Sequence, residues 1–348
     1  MEERKIGVIG GGAWGTGMAQ AIARGNNSVE IWAMEEDVVQ SINSEHENKR
    51  FLPGYKLSGR ITCSDDIVRV ASDKEILFIA SPSIFLTRTM EKIKDVPSIA
   101  NGSTIIVAVT KGFVPSDSGP KLILETMESV LPEFYKDCTV YVAGPSHAEE
   151  VAIGKLTGLV AASLNPKNSI KVRELLRVPG LMVFSSFDVV GVQICAAAKN
   201  VVAVVYGAMD ALSETSDYIG DNTESLLLAA GLNEIQTLGF AMGASHAETF
   251  TSISGVGDLD VTCKSKYGRN RRFGQDIVKT DMLSKFKDID DLIANVGKIG
   301  YLPEGAIACK YVHEIAQKKD IKLPICDALF KILNKEQTIS EIMQTLIK

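Results

Sequence analysis

Lys199 stands near the middle of a run from Val189 to about Leu212 in which only it and Asp210 carry charge, with Gln193 and Asn200 as the amides. Desolvation weakens a lysine's hold on its proton, so a lysine so placed is either paired for structure or used as an acid–base group. Further along, Gly255-Val-Gly-Asp-Leu-Asp-Val-Thr-Cys sets Asp258 and Asp260 beside a glycine-rich turn. Two carboxylates there raise calcium ligation, but the glutamate that closes an EF-type loop is missing. Tyr267-Gly-Arg-Asn-Arg-Arg-Phe-Gly then gathers Arg269, Arg271 and Arg272 around Gly268 and Asn270. Guanidinium forks match phosphate oxygens, while the same run also suits a solvated basic face. In Leu302-Pro-Glu-Gly, Glu304 is placed to reach a ligand or to cap a helix.

At the opposite end, Gly10, Gly12 and Gly15 satisfy G-x-G-x-x-G directly after the apolar run Ile6–Ile9 and ahead of a predicted helix, Thr16 to Ala23. In this motif the first glycine makes the tight turn, the second admits a pyrophosphate close to the backbone, and the third lets helix and strand pack closely. The helix N-terminus adds unpaired N–H groups for the phosphates. A second predicted strand, Ser28 to Ala33, ends beside Glu35 and Glu36, where an acid that accepts from a ribose hydroxyl belongs. Carboxylates at Glu35, Glu36 and Asp37 favour NAD over NADP, whose extra phosphate they repel.

These groups need a frame. Further predicted strands are Glu75 to Ala80, Thr104 to Val109, Thr139 to Ala143 and Gly158 to Ser163, alternating with helical stretches. That alternation predicts an α/β Rossmann fold with a doubly wound parallel sheet, its ligands at the carboxyl ends of the strands. Ser81, Lys111 and Ser146 fall at such ends, and Phe85 sits just beyond one. From about residue 190 helical spacing dominates, giving a dinucleotide-binding domain over 1–189 and a mostly α-helical substrate-binding and catalytic domain over 190–348. The run from Val189 is long enough to span a membrane, but its central lysine marks it as a buried core helix, so no membrane span is expected.

A chain of 348 residues exceeds one ordinary core, in keeping with two domains. Apolar residues at 45% and charged residues at 23% are the balance of a soluble globular protein. A net charge of −6 and a pI near 5.4 argue against general nucleic-acid or anionic-membrane binding. The cysteines, Cys63, Cys138, Cys195, Cys263, Cys309 and Cys326, form no C-x-x-C and sit by no histidine cluster, which suggests neither a metal site nor a redox pair. The charged start Met1-Glu-Glu-Arg-Lys leads straight into a strand, and Thr345-Leu-Ile-Lys matches no address signal, so the cytoplasm is the expected location.

The motifs taken in order resemble the NAD(P)-dependent glycerol-3-phosphate dehydrogenase family along nearly the whole chain. They are Gly10-x-Gly-Ala-Trp-Gly-Thr, Pro82 with Phe85, Thr110-Lys-Gly, Gly144-Pro-Ser, Ala198-Lys-Asn-Val-Val-Ala, Gly220-Asp-Asn-Thr, Gly257-Asp-Leu, Thr262-Cys and Gly268-Arg-Asn-Arg. His46-Glu-Asn with Leu52-Pro-Gly is also similar. The resemblance implies hydride transfer between dihydroxyacetone phosphate or sn-glycerol 3-phosphate and NAD(H), with NADP(H) admitted. It also implies a link from glycolysis to glycerophospholipid synthesis, and a homodimer. By the same resemblance Lys199 is the proton acceptor, assisted by Lys111 and Asp258. The substrate pocket then comprises Lys111, Gly144, Ser146, Lys199, Asn200, Asp258, Thr262, Gly268, Arg269 and Asn270. The cofactor set is Gly10, Gly12, Ala13, Trp14, Gly15, Glu35, Phe85, Lys111, Ala148, Arg269, Leu302 and Glu304. Two departures stand out: Gly268 replaces a serine of many bacterial members, and Trp32-Ala-Met-Glu-Glu-Asp resembles NAD-preferring eukaryotic members. Another Rossmann-plus-helices dehydrogenase, of the 6-phosphogluconate or 3-hydroxyacyl-CoA type, and a non-catalytic dinucleotide sensor are the alternatives.

Overall fold

The computed structural model describes residues 4–342, so the start at Met1 and the tail Thr345–Lys348, read above for targeting signals, lie outside the described residues. The chain forms two compact units, one running up to Pro115 and including Lys121–Gln193, the other made of Ser116–Pro120 and the chain from Ile194 onward.

The first unit is built on eight strands: β1 (Lys5–Ile9), β2 (Ser28–Trp32), β3 (Ile61–Ser64), β4 (Ile76–Ile79), β5 (Ile105–Ala108), β6 (Val140–Ala143), β7 (Thr157–Ala162) and β8 (Leu181–Ser186). Their order across the sheet is β8-β7-β6-β5-β4-β1-β2-β3. The central strands β4, β5 and β6 are buried along their whole length, as their unbroken apolar runs require of a sheet covered on both faces. After β1 the chain builds outward through β2 and β3, then returns to β1's other side at β4. The carboxyl ends of β1 and β4 therefore flank the switch point of the topology, where such sheets bind ligands.

Two details depart from the sequence reading. The sheet is not wholly parallel: β6 and β7 run antiparallel, pairing Tyr141 with Ala162 and Ala143 with Val160. Only the short helix Ala148–Ala152 lies between them, too little for the full crossover helix that parallel neighbours need. Moreover β3 and β8 were not expected. Both lie at sheet edges: β3 is four residues of mixed character, while β8 opens on the apolar run Leu181-Met-Val-Phe, which the sequence reading did not assign.

Helix α1 (Ala13–Arg24) follows the glycine turn and starts three residues earlier than predicted. Its contact face is glycine by necessity: a Cβ on Gly15 would lie 1.9 Å from the Gly10 carbonyl oxygen, and one on Gly17 would lie 3.0 Å from that of Ala148.

Among its described residues the second unit is helical. Its main elements are α2 (Val189–Ser213), which begins in the first unit, α3 (Asp221–Ala241), α4 (Asp258–Lys264), α5 (Arg269–Lys279), α6 (Glu304–Lys319) and α7 (Pro324–Leu333). Helix α2 is long and apolar enough to cross a membrane, yet 83% of its most apolar window is buried inside the protein. Helix α3 begins earlier than the apolar pattern suggests, because Gly220-Asp-Asn-Thr forms its first turn, the Gly220 N–H donating to Thr223 Oγ1 at 3.3 Å. Glycine again sets the packing. A Cβ on Gly274 would lie 1.9 Å from the Val204 carbonyl oxygen, and one on Gly305 would lie 2.5 Å from that of Asn200. Helices α5 and α6 are thus seated at backbone contact against α2 on the stretch that carries Lys199.

Candidate functional site

In the first unit the three glycines of the turn differ in what demands them. Gly10 has φ +130°, and a Cβ there would lie 2.8 Å from the Ala80 carbonyl carbon, so the turn and strand β4 require it. Gly15 is required by the Gly10 carbonyl. Gly12 is different: its φ of −69° and ψ of 178° suit any residue, and a Cβ would meet nothing within 4 Å. No protein contact explains glycine at this position. An incoming group lying close to the backbone does, and the half-buried turn at the start of α1 fits the pyrophosphate of a dinucleotide.

The strand ends gather the next group. Lys111, after β5, donates through Nζ to the Gly144 carbonyl at 3.3 Å, and Ser146 Oγ donates to the same oxygen at 2.8 Å. Gly144 holds φ +143°, which presents that carbonyl beyond β6. Thr110 Oγ1 donates to the Ser81 carbonyl at 2.8 Å, tying the β5 end to the β4 end. The Trp14 indole N–H donates to the Val109 carbonyl at 3.1 Å, which joins the glycine turn to the segment carrying Lys111. Ala13 is half-buried beside it, Ala148 is buried at the start of its helix, and Phe85 is exposed just past β4. Glu35 is half-buried immediately before the helix Glu36–Glu45, beyond the end of β2. Of the cations near this edge, Arg50 Nη1 lies 3.2 Å from Asp37 Oδ1. Arg24 is turned elsewhere, donating to the carbonyls of Val151 at 2.8 Å, Ala152 at 3.0 Å and Pro179 at 3.2 Å.

In the second unit Lys199 forms a buried ion pair with Asp258, their side chains 6% and 1% exposed. Lys199 Nζ also donates to Thr262 Oγ1 at 2.9 Å, and the Thr262 hydroxyl donates to the Asp258 carbonyl at 2.6 Å. Asp258 opens α4 directly after a π-helical turn, Ile253–Gly257, so the carboxylate and the hydroxyl one turn later share the face toward α2. Asp260, two residues on, faces away and pairs with Lys264 at 2.6 Å, so the two aspartates do not converge on a cation. Burial pushes the neighbouring Cys263 thiol up to about 12, against the pull of the Lys199 charge. That thiol is a packing group.

The arginines separate into distinct roles. Arg271 Nη2 pairs with Asp210 at 2.8 Å and Nη1 donates to the Lys264 carbonyl at 3.2 Å. Arg272 lies over the Tyr301 ring, 5.1 Å from its centroid. Arg269 is 60% exposed, and the contact recorded for it is a 3.5 Å approach to Glu304 Oε1. Gly268 precedes α5 with no side-chain cap, and Arg269 stands in the first turn, where the helix dipole favours an anion. Asn270 is buried and links helices: its Nδ2 donates to Asn200 Oδ1 at 2.9 Å, and its Oδ1 accepts the Gly305 N–H at 2.9 Å. Glu304 opens α6, where its charge also suits the helix dipole, and half-buried Leu302 comes just before.

The sequence reading thus named residues that form two clusters, one in each unit. It quoted, but gave no role to, the residues that hold them: Asn48, bonded to the glycine turn, and Gly274 and Gly305, which let α5 and α6 reach α2. The signal for the glycines lay in Arg-Arg-Phe-Gly and Pro-Glu-Gly, where a single glycine falls within or at the start of a helical stretch.

Comparison with known proteins gives a consistent result. The family described as NAD-dependent glycerol-3-phosphate dehydrogenase N-terminus matches residues 5–169, and its C-terminus counterpart matches residues 188–344. A glycerol-3-phosphate dehydrogenase [NAD(P)+] of Treponema denticola is 54% identical over 99% of this chain and 98% of its own length. One from Bacillus subtilis is 33% identical over 99% of this chain and 94% of its own. The crystal structure of a glycerol-3-phosphate dehydrogenase from Coxiella burnetii, 28% identical, superposes with a TM-score of 0.85 over 99% of both chains.

Proposed function

The chain belongs to the NAD-dependent glycerol-3-phosphate dehydrogenase family, and from that premise we propose that it interconverts dihydroxyacetone phosphate and sn-glycerol 3-phosphate. The cofactor is NAD(H), with NADP(H) admitted. Bound nicotinamide supplies or accepts the hydride at C2 of the substrate. Lys199 moves the proton at the C2 oxygen, donating to the carbonyl during reduction and accepting from the alcohol during oxidation. Asp258 and Thr262 fix the direction of its ammonium. Arg269 and the N-terminus of α5 hold the substrate phosphate, so that binding energy remote from C2 is used to align it. Lys111, Gly144 and Ser146 line the substrate's surroundings at the strand ends, with Asn200 and Asn270 bracing the phosphate side. Gly10, Gly12, Ala13, Trp14 and Gly15 hold the dinucleotide, with Glu35 at its ribose.

The observation that carries the reading is Lys199, a buried lysine on an apolar helix oriented by a buried carboxylate and a hydroxyl in the same unit as an exposed arginine fork. On this reading residues 1–189 serve the dinucleotide and residues 190–348 serve catalysis. The protein works in the cytoplasm as a homodimer, which exposed Leu226 and Phe240 on α3 support. The test is oxidation of NADH on addition of dihydroxyacetone phosphate. Turnover restricted to a 6-phosphogluconate or 3-hydroxyacyl-CoA substrate refutes it, as does cofactor binding without any turnover.

A further inference from the structure

Three glycines in succession, Gly10, Gly11 and Gly12, make a turn with unusual backbone freedom, and a phosphate site needs its N–H groups fixed in advance. The fixing group comes from outside the β1–α1 unit. A two-stranded hairpin, Glu47–Asn48 paired with Leu52–Lys56, lies over this region. The Asn48 side chain is fully buried, and it makes three hydrogen bonds. Its Nδ2 donates to the Gly11 carbonyl and to Thr16 Oγ1, each at 2.8 Å, while its Oδ1 accepts the Phe51 N–H at 3.0 Å. The Phe51 N–H can meet only an acceptor, so it sets which end of the amide faces the turn.

The consequence for ligand binding follows from peptide geometry. In a planar trans peptide the C=O and the following N–H point in opposite directions. Holding the Gly11 carbonyl inward on Asn48 and Thr16 aims the Gly12 N–H the other way, away from the Asn48 side chain. We propose that Asn48 is a positioning residue for dinucleotide binding: it locks the Gly11–Gly12 peptide so that the Gly12 N–H is presented to the pyrophosphate. This rests on the reading of the glycine turn given under the proposed function. The hairpin is itself anchored for the task, with Leu52 buried against Ala148 and Ala152, and the Ser58 N–H donating to Gln20 Oε1 of α1 at 2.8 Å.

Asn48→Asp tests this in the full chain. The carboxylate keeps the acceptor for Phe51 but sets an oxygen where a donor met the Gly11 carbonyl. The probes are competitive inhibition constants against NADH for ADP-ribose, which carries the pyrophosphate, and for adenosine, which lacks it. The expected result is that ADP-ribose weakens by about tenfold or more, the scale of one hydrogen bond to a charged group, while adenosine shifts by less than about twofold. The KM for NADH rises in step with ADP-ribose. Thr16→Val, which removes the acceptor for Asn48 Nδ2 and the 3.4 Å donor to the Gly11 carbonyl while preserving shape, serves as the second variant if Asn48→Asp does not fold, and moves ADP-ribose alone by about threefold. Unchanged ADP-ribose affinity overturns the proposal. Equal weakening of both probes also overturns it, because Asn48 then serves only the fold. A wild-type protein inhibited by neither probe overturns the dinucleotide reading of the turn, and the proposal with it.

Discussion

Lys199→Met separates a catalytic lysine from a structural one, and the structure allows both effects to be sized. Met fills the slot but removes the cation from a pair whose side chains are 6% and 1% exposed, leaving the buried Asp258 charge without the lysine that balances it. Breaking a buried pair from one side costs about 3–5 kcal/mol. In a unit the size of the second, that lowers the melting temperature by roughly 6–20 °C. Thr262 is not orphaned, because its hydroxyl still donates to the Asp258 carbonyl at 2.6 Å. The double variant Lys199→Met, Asp258→Leu removes both charges, and a buried pair replaced by hydrophobic groups of similar volume is often nearly neutral for stability. Most of the lost melting temperature is therefore expected to return. Activity is not expected to return, since loss of acid–base assistance is worth about 10²–10⁴ in rate whatever Asp258 carries. NADH turnover with dihydroxyacetone phosphate and thermal melts on the single and double variants supply the four quantities, with NADH binding measured as a control that stays near wild type. Turnover by either variant within about tenfold of wild type refutes the proton-transfer role and leaves Lys199 as a core ion-pair residue.

Arg269→Lys is expected to lower kcat/KM for dihydroxyacetone phosphate by about tenfold or more, because a point charge cannot reproduce the planar fork, while Arg272→Lys changes little. With dihydroxyacetone, which lacks the phosphate, wild type and Arg269→Lys should be equally poor, and a persistent deficit refutes the phosphate assignment. kcat/KM should favour NADH over NADPH, since Glu35, Glu36 and Asp37 close β2 while Arg24 is occupied by three carbonyls. Equal values for the two cofactors refute that. Burial holds the Glu234 carboxyl above its usual range although it accepts the N–H groups of Ile325 and Cys326. A carboxyl with a raised pKa in the folded state loses stability as pH climbs past the unfolded value, so Glu234→Gln should gain on wild type as pH rises above about 4.3 in paired melts. A difference that does not change with pH refutes it.

The candidate groups were legible because their types and spacing are unusual where they sit: a lysine within an apolar helix, glycines at G-x-G-x-x-G spacing after a strand, an arginine run beside glycine. Strands β4, β5 and β6 were legible for a related reason, since burial on both faces writes itself as an unbroken apolar run. Edge strand β3 carries no such mark, and the direction of β7 depends on how much chain connects it to β6, which periodicity does not report. The arginines were legible as a cluster but not as individuals. Arg269, Arg271 and Arg272 read alike in sequence, and only their partners, a distant glutamate, the buried-side Asp210 and the Tyr301 ring, tell them apart.

What holds the site is harder to read than what acts in it, and the reason is physical. A positioning contact is a relation between residues far apart in the chain, and each partner alone has an ordinary type. Asn48 in a polar connection looks like a turn residue, yet its amide fixes a peptide 37 residues away. Asn270 looks like one more polar neighbour of an arginine, yet it ties α5 to both α2 and α6. Gly274 and Gly305 look like helix defects, each with a cost in helix propensity of about 1 kcal/mol relative to alanine. That cost is offset by backbone contact with α2, which a single methyl at either position would break. These contacts bring Arg269 on α5 and Glu304 on α6 within 3.5 Å of each other and hold both helices against the stretch of α2 that carries Lys199. Gly305→Ala should therefore weaken catalysis through displaced helices even though the glycine touches no substrate. In the second unit, chemically silent residues set the geometry that the charged ones use.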